Sequence, residues 1–249
     1  MNIDTRIETL TGKRTITFHG QEFTIICNPV EWHPSWWSFM DEVETRNLWW
    51  NIKPGDIVFD IGADYGSYTL TALATGAARV YAWSPPFKAA APHEAYTIKL
   101  SAWENGWEDR LVVFDDGLWS HRGYIASMDG PRAPRVFATR KEALNAIHKQ
   151  PGFCSVFPVR TLDEAVKLCD VSRIDWMKLD TEACEIEILN GGLETIKRFR
   201  PNLFVENHVC WNPTIKDDFW KIIDGLGLGY VEIGTRQHAT VSHSLYVIP

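Results

Sequence analysis

The chain has 249 residues, 45% hydrophobic and 23% charged, and carries a formal net charge of -7. That is enough chain for one large domain or two small ones, and too acidic to attract nucleic acid or anionic lipid broadly. No apolar segment approaches the roughly 20 residues that span a bilayer, the N-terminus has no apolar signal core, and Cys27, Cys154, Cys169, Cys184 and Cys210 never form a CxxC pair; this predicts reduced thiols in a cytoplasmic protein rather than a disulfide framework or a zinc site.

Along the chain, "RTITFHGQEFTIICN" alternates in short β-like runs around His19 and Gly20, the pattern of a hairpin. "HPSWWSFMDEVETRNLWW" reads as a helical or turn-helix segment that ends before Pro54 and Gly55. Together they make a small N-terminal β/helical extension over residues 1–50. The remainder, residues 51–249, changes character at Asp56. "DIVFDIG", "RVYAW", "LVVFDD", "IDWMKLD" and "NLFVEN" read as strands, with helix-compatible stretches such as "SYTLTALATG" and "EIEILNGGLETIKRF" between some of them. This alternation predicts an α/β fold with a mostly parallel sheet, and "YVEIG" with "SLYVIP" predicts a C-terminal antiparallel hairpin. An insertion near residues 121–160 interrupts the pattern. Within it Thr139 and Glu142 have capping-box spacing, so one helix is expected there. Such an insertion suits a functional lid and equally a surface excursion.

Ligands of open parallel sheets sit at the carboxyl ends of the strands. Asp60, Gly62 and Gly66 end the first of these strands, where glycine permits a tight turn and close approach of the backbone. Asp60 and Asp64 would repel a pyrophosphate, which prefers helix-terminal N–H groups. They suit a cationic ligand such as one with an amine and a sulfonium. The turn alone is also compatible with a capped strand-to-helix connection that binds nothing.

"VFDIGADYGSYTL" resembles the first motif of class I S-adenosylmethionine-dependent methyltransferases, and specifically that of the FkbM family, approximately DVGANxGxYT. "IKPGD" before the strand, "RTLDEAV" followed by "IDWMKLDTEACEIEILNGG", and "RPNLFVENH" resemble further family stretches in the same order. Several ordered motifs are more specific than one glycine turn. The resemblance runs from about Phe23 to the C-terminus. It implies a Rossmann-like class I methyltransferase sheet, S-adenosylmethionine as cofactor, and transfer of a methyl group, usually to an oxygen.

By that resemblance Asp60, Gly62, Ala63, Asp64 and Gly66 line the methionine end of the cofactor, with Tyr68 packing nearby. Asp64 stands where the family usually has Asn. "RVYAWSPP" resembles the family's VxAFEPxP, in which the acid accepts from both ribose hydroxyls; here that position is Ser84, which has no charge to offer. Asp116, Gly117 and Leu118 would meet the adenine, with Asp115 the other acid of that turn. Asp180 and Glu182 end the fourth strand near the transferred methyl, and Ala183 replaces the family's Gly. Glu185 reads as a helix N-terminal acid favoured by the dipole. Glu206, Asn207 and His208 end the fifth strand, and His208 is a candidate general base with an ordinary pKa suited to neutral work, or else a structural histidine.

Asp180, Glu206 and Asn207 also resemble the trio that holds magnesium in catechol-type O-methyltransferases, and hard oxygen ligands suit Mg²⁺. That route ranks below a metal-free base. Trp32, Trp36, Trp37, Trp49 and Trp50 precede the core, and Trp103, Trp107 and Trp119 follow. They suit an acceptor pocket for a sugar or polyketide-like hydroxyl, though accessory packing explains most of them. The expected partner is a small-molecule acceptor, without nucleic acid or membrane; a homo-oligomer is compatible with the sequence. A catalytically inactive binding protein of the same fold is the alternative, argued from Ser84 and Ala183. A nicotinamide oxidoreductase would want GxGxxG and an acid after the second strand, and the chain has neither.

Overall fold

A computed structural model describes residues 12–27, 43–86, 94–128, 135–149, 153–238 and 241–249. Strands β1 (Gly12–Phe18) and β2 (Gln21–Cys27) form the expected antiparallel hairpin. His19 and Gly20 both have positive φ in its two-residue turn, as the right-handed twist of paired strands favours. Of the aromatic segment, the short helix α1 (Val43–Trp49) is described; Trp32, Trp36 and Trp37 lie outside the described residues.

The main sheet contains β3 (Ile57–Ile61), β4 (Arg79–Trp83), β5 (Leu111–Phe114), β10 (Trp176–Leu179), β11 (Asn202–Asn207), β12 (Val231–His238) and β13 (Val241–Val247). Their spatial order is β12-β13-β11-β10-β3-β4-β5. β3, β4, β5, β10 and β11 run parallel, while β13 inserts antiparallel between β11 and β12. The mostly parallel sheet and the terminal hairpin are as the sequence predicts, with the hairpin's second strand rather than its first joining the sheet.

Helices α2 (Ser67–Ala74), α3 (Glu94–Glu104), α5 (Leu162–Cys169), α6 (Glu185–Asn190), α7 (Leu193–Phe199) and α8 (Ile215–Gly225) accompany the sheet. Strand residues alternate between two apolar layers. Phe59, Ile61, Met177 and Leu179 join one, and Val58, Trp176 and Phe204 the other. The second layer also takes in Phe18, Phe23, Ile25, Trp50 and Tyr68, so the β1–β2 hairpin shares the core of the main sheet. The stretch "EIEILNGGLETIKRF" is two helices separated at Gly191 and Gly192, and a Cβ on Gly191 would stand 2.2 Å from the Trp119 carbonyl oxygen.

The insertion holds more than the single helix expected of it. α4 (Arg140–Lys149) is present with its capping box: Thr139 N donates to Glu142 Oε2 at 3.0 Å, and Glu142 N donates to Thr139 Oγ1 at 3.2 Å. It accompanies a second sheet of four strands, β6 (Gly117–Leu118), β7 (Gly123–Met128), β8 (Arg135–Phe137) and β9 (Phe153–Arg160), in the order β6-β9-β7-β8. Ile125, Phe157 and Val159 form its small core.

Most of the flagged tryptophans among the described residues are packing residues. Trp50 is fully buried, with its ring edge-on to Tyr68 and Trp176. Trp49 lies edge-on to Phe204, Trp107 packs on Phe23, Trp119 packs between the two sheets, and Trp103 is exposed on α3.

Candidate functional site

A cleft of about 330 Å³ opens at the carboxyl ends of β3, β4 and β10. The turn after β3 forms its floor. Gly62 has φ +84, and a Cβ there would lie 1.6 Å from the Asp180 carbonyl oxygen, so only glycine lets the turns after β3 and β10 nest. Gly66, at φ +88, opens α2 and admits the Ile98 side chain of α3. Asp64 sits between them at φ 47, a conformation that Asp and Asn tolerate. Gly62, Ala63 and Asp64 line the cleft, with Ser67 and Tyr68 from α2. Trp83 and Ser84 form the β4 end, and Gly117, Leu118, Ile125 and Phe157 form the wall built by the small sheet.

Asp60 is not at this surface. It is fully buried under the turn, where its Oδ2 accepts from Thr69 Oγ1 at 2.6 Å and its Oδ1 lies 3.6 Å from Lys178 Nζ. Burial pushes its carboxyl up from the ordinary range, with Lys178 and Thr69 pulling against that. Asp60 therefore braces the turn rather than lining it. Asp116 also turns away: it is buried and ion-paired with Arg160, its pKa raised by burial against the pull of that guanidinium. Asp115 is exposed outside the cleft, so neither acid of that turn lines it, whereas their neighbours Gly117 and Leu118 do.

The other end of the cleft is a charge cluster organised by Lys178, which the sequence reading overlooked. Lys178 is 2% exposed. Its ammonium donates to Gly62 O at 3.0 Å and to Asp180 Oδ2 at 2.8 Å, and lies 4.9 Å from the centre of the Tyr68 ring. It thus ties the turn after β3 to the turn after β10. Burial acts to raise the Asp180 pKa, but Lys178, a hydrogen bond with the Glu206 carboxyl and the His208 charge outweigh it and hold Asp180 well below the usual carboxylate range.

His208 lies among three more acids. Its Nδ1 is 3.1 Å from Glu185 Oε1, its Nε2 is 3.2 Å from Glu206 Oε2 and 3.6 Å from Glu182 Oε2, and its ring stacks on Trp211. Burial would lower its pKa, but Glu185, Asp180 and Glu206 raise it to about 9. The ring is therefore an imidazolium at neutral pH, and the expectation of a free neutral base is corrected. Glu185 opens α6, as a dipole-favoured acid would, and its Oε1 also accepts from Thr181 N at 2.8 Å. Glu206 is further flanked by His243 on β13, Nε2 to Oε1 at 3.3 Å. Glu182 and Ala183 both adopt left-handed conformations, φ 57 and φ 70, so the positive-φ turn survives without the family's glycine.

The predicted metal trio is not the set that comes together. Asn207 is buried with its Nδ2 donating to Ser242 O and Ser244 Oγ at 3.2 Å each. The potential ligand atoms of Asp180, Glu206 and His208 lie within 4.8 Å of one another instead. That set does not suit Mg²⁺, which wants oxygen donors. One member offers a ring nitrogen, and the Lys178 ammonium already pairs with Asp180. Among the described residues, no helix is long and apolar enough to cross a membrane.

The model of the methyltransferase FkbM domain matches residues 60–231. The chain belongs to this family. Membership implies S-adenosylmethionine as the cofactor. Among solved structures, the chain is similar to methyltransferase FkbM from Methylobacillus flagellatus KT, with a TM-score of 0.57 and 17% identity over 81% of this chain and 45% of that one. It thus spans less than half the length of that protein. It is also similar to yhhF from Escherichia coli, with a TM-score of 0.50 and 10% identity over 94% of this chain and 97% of that one. At these identities both speak to the Rossmann-like fold alone. Comparison with curated proteins found no match.

Proposed function

We propose that the protein is an S-adenosylmethionine-dependent methyltransferase that methylates a hydroxyl of a small acceptor, such as a sugar or polyketide-like molecule, in the cytoplasm. The observation that carries this reading is the composition of the cleft. Among the described residues, Asp64, Glu94, Asp180, Glu182 and Glu206 bring five carboxyl groups to its lining, against the single ammonium of Lys178. Such a lining favours a ligand with an amine and a sulfonium over a dinucleotide phosphate.

Bound S-adenosylmethionine supplies an activated methyl group on a good leaving group. What remains for the protein is to place the acceptor oxygen in line and remove its proton. Lys178 and the protonated His208 are positive groups beside the acids that end β10 and β11. Both cations are already paired with those acids, so a hydroxyl held there would lose its proton to a carboxylate rather than ionise against free positive charge. Glu182, with its side chain 44% exposed at the cleft, is the acid best placed to pass a proton outward. No step needs a metal.

Calorimetric titration with S-adenosylmethionine and S-adenosylhomocysteine tests the reading. Micromolar binding of both is expected, unchanged by Mg²⁺. Absence of binding would favour the second reading, a catalytically inactive binding protein of the same fold, for which Ser84 at the β4 end speaks.

A further inference from the structure

Ser84 leaves the β4 end of the cleft without a charge of its own. Its Oγ is 3.4 Å from the Asp64 carbonyl oxygen, and its side chain is buried. A carboxylate nevertheless reaches the same cleft from another element. Glu94 is the first residue of α3, is 6% exposed, and lines the cleft together with Trp83 and Ser84.

Its placement follows from packing. The buried residues of α3 are Glu94, Thr97, Ile98, Ser101 and Ala102, one face at helical spacing. Ile98 packs on Ala63 and Ala82, and the missing side chain of Gly66 lets it come so close that a Cβ there would be 2.8 Å from Ile98 Cγ1. Glu94 precedes Ile98 by four residues and so lies one turn away on that same face. Helical side chains lean toward the N-terminus, which carries the Glu94 carboxyl beyond the Ile98 contact. Gly66 thus serves two purposes: it opens α2, and it admits the helix that delivers an acid.

We propose that Glu94 is the acceptor for the ribose hydroxyls of an adenosine-bearing ligand, supplying from α3 the carboxylate that β4 lacks. The proposal rests on the cofactor reading above. A carboxylate accepts from two vicinal hydroxyls at once, and each charge-assisted bond is stronger than a serine could offer. The ligand then lies across the cleft, with its diol at Glu94 and its charged, sulfur-bearing end toward Lys178 and Asp180.

The test compares S-adenosylhomocysteine with its 2′,3′-dideoxy analogue by calorimetry, on the wild type, on Glu94→Gln, and on the double variant Ser84→Glu with Glu94→Gln. Thermal melting checks that each is folded. The wild type is expected to prefer the diol, and Glu94→Gln to lose about tenfold or more in affinity for S-adenosylhomocysteine while binding the dideoxy analogue as before. The double variant, with its acid back on β4, is expected to recover the preference. If Glu94→Gln folds poorly, the wild type decides: equal affinity for S-adenosylhomocysteine and its dideoxy analogue would overturn the diol site. Equal preference for the diol in wild type and Glu94→Gln would overturn the role of Glu94 while leaving the cofactor reading intact. Failure of the wild type to bind either compound would overturn both.

Discussion

The two ends of the cleft are built on opposite plans. At the β10 and β11 end, Lys178 and His208 are held among Asp60, Asp180, Glu182, Glu185 and Glu206, and each of these acids has an oxygen within 3.6 Å of a cationic nitrogen. At the β4 end, Trp83 stacks on Phe114, Ser84 replaces an acid, and the indole Nε1 of Trp83 is buried without a hydrogen-bond partner among the described residues. Among the described residues Glu185 Oε2 and Thr181 Oγ1 stay unmet at the charged end too, but the ion pairs tie the ends of β3, β10 and β11 together, so their removal is first a stability question. The aromatic end carries an unmet donor, so its removal is a ligand question. A cleft that binds an extended molecule can draw rigidity from one end and recognition from the other.

The largest expected effect is at the charged end. Lys178→Met strands the carboxylates of Asp60 and Asp180 and should cost about 3–5 kcal/mol, as breaking buried ion pairs does. Thermal melting should fall by roughly 10 °C for a chain of this size. A shift of only a degree or two would mean that the ammonium is not what holds the turns together. Gly62→Ala comes next: its methyl has no room against the Asp180 carbonyl, so one turn must move. The expected result is a folded but less stable protein, down by about 1–3 kcal/mol, with no calorimetric signal for S-adenosylhomocysteine. Retained affinity would detach the floor of the cleft from ligand binding.

His208 gives the charged end a pH signature. Its pKa in the folded protein is raised to about 9, above the ordinary 6.5. The folded state therefore holds a proton that the unfolded chain releases. This contribution is fully present below about pH 6.5 and is lost as pH rises through about 9. Denaturant melts should show stability falling by about 2–3 kcal/mol across that window, and His208→Gln should flatten the fall. A parallel pH curve in the variant would remove His208 as its source. The smallest effect belongs to the aromatic end. Trp83→Phe deletes a donor that the free protein does not use, so unliganded stability should change by about 1 kcal/mol or less, while S-adenosylhomocysteine affinity drops severalfold. A large loss of stability with unchanged affinity would reverse the contrast between the ends.

Much of this architecture is legible in the chain because its signals are local. "RVYAW" and "NLFVEN" coincide with β4 and β11 residue for residue, and His19 with Gly20 makes the turn that such a pair makes. The small sheet is harder to read, since β9 contains Pro158 and β8 is three residues long. Lys178 is hidden by its setting inside an apolar strand, where its partners Gly62 and Asp60 are more than 100 residues away in sequence. The charge on His208 is likewise a property of its surroundings: Glu185 comes from a different helix, and no spacing within "VENHVC" announces it. The tryptophans mislead for a related reason. An indole that packs a helix to a sheet and one that faces a ligand look alike in one dimension, and Trp83, which lines the cleft, stands apart from the conspicuous clusters.

The crossing of Gly191 beneath Trp119 sets how this enzyme family member can adapt. With the two backbones in such close approach, a side chain at position 191 would push the root of the small sheet away from the helix. On the proposed function, Ile125 and Phe157, which line the cleft from the small sheet, are the side chains whose size would set the width open to an acceptor. Exchanges between large and small residues at those two positions are the economical way for evolution, or a designer, to retune which molecules enter.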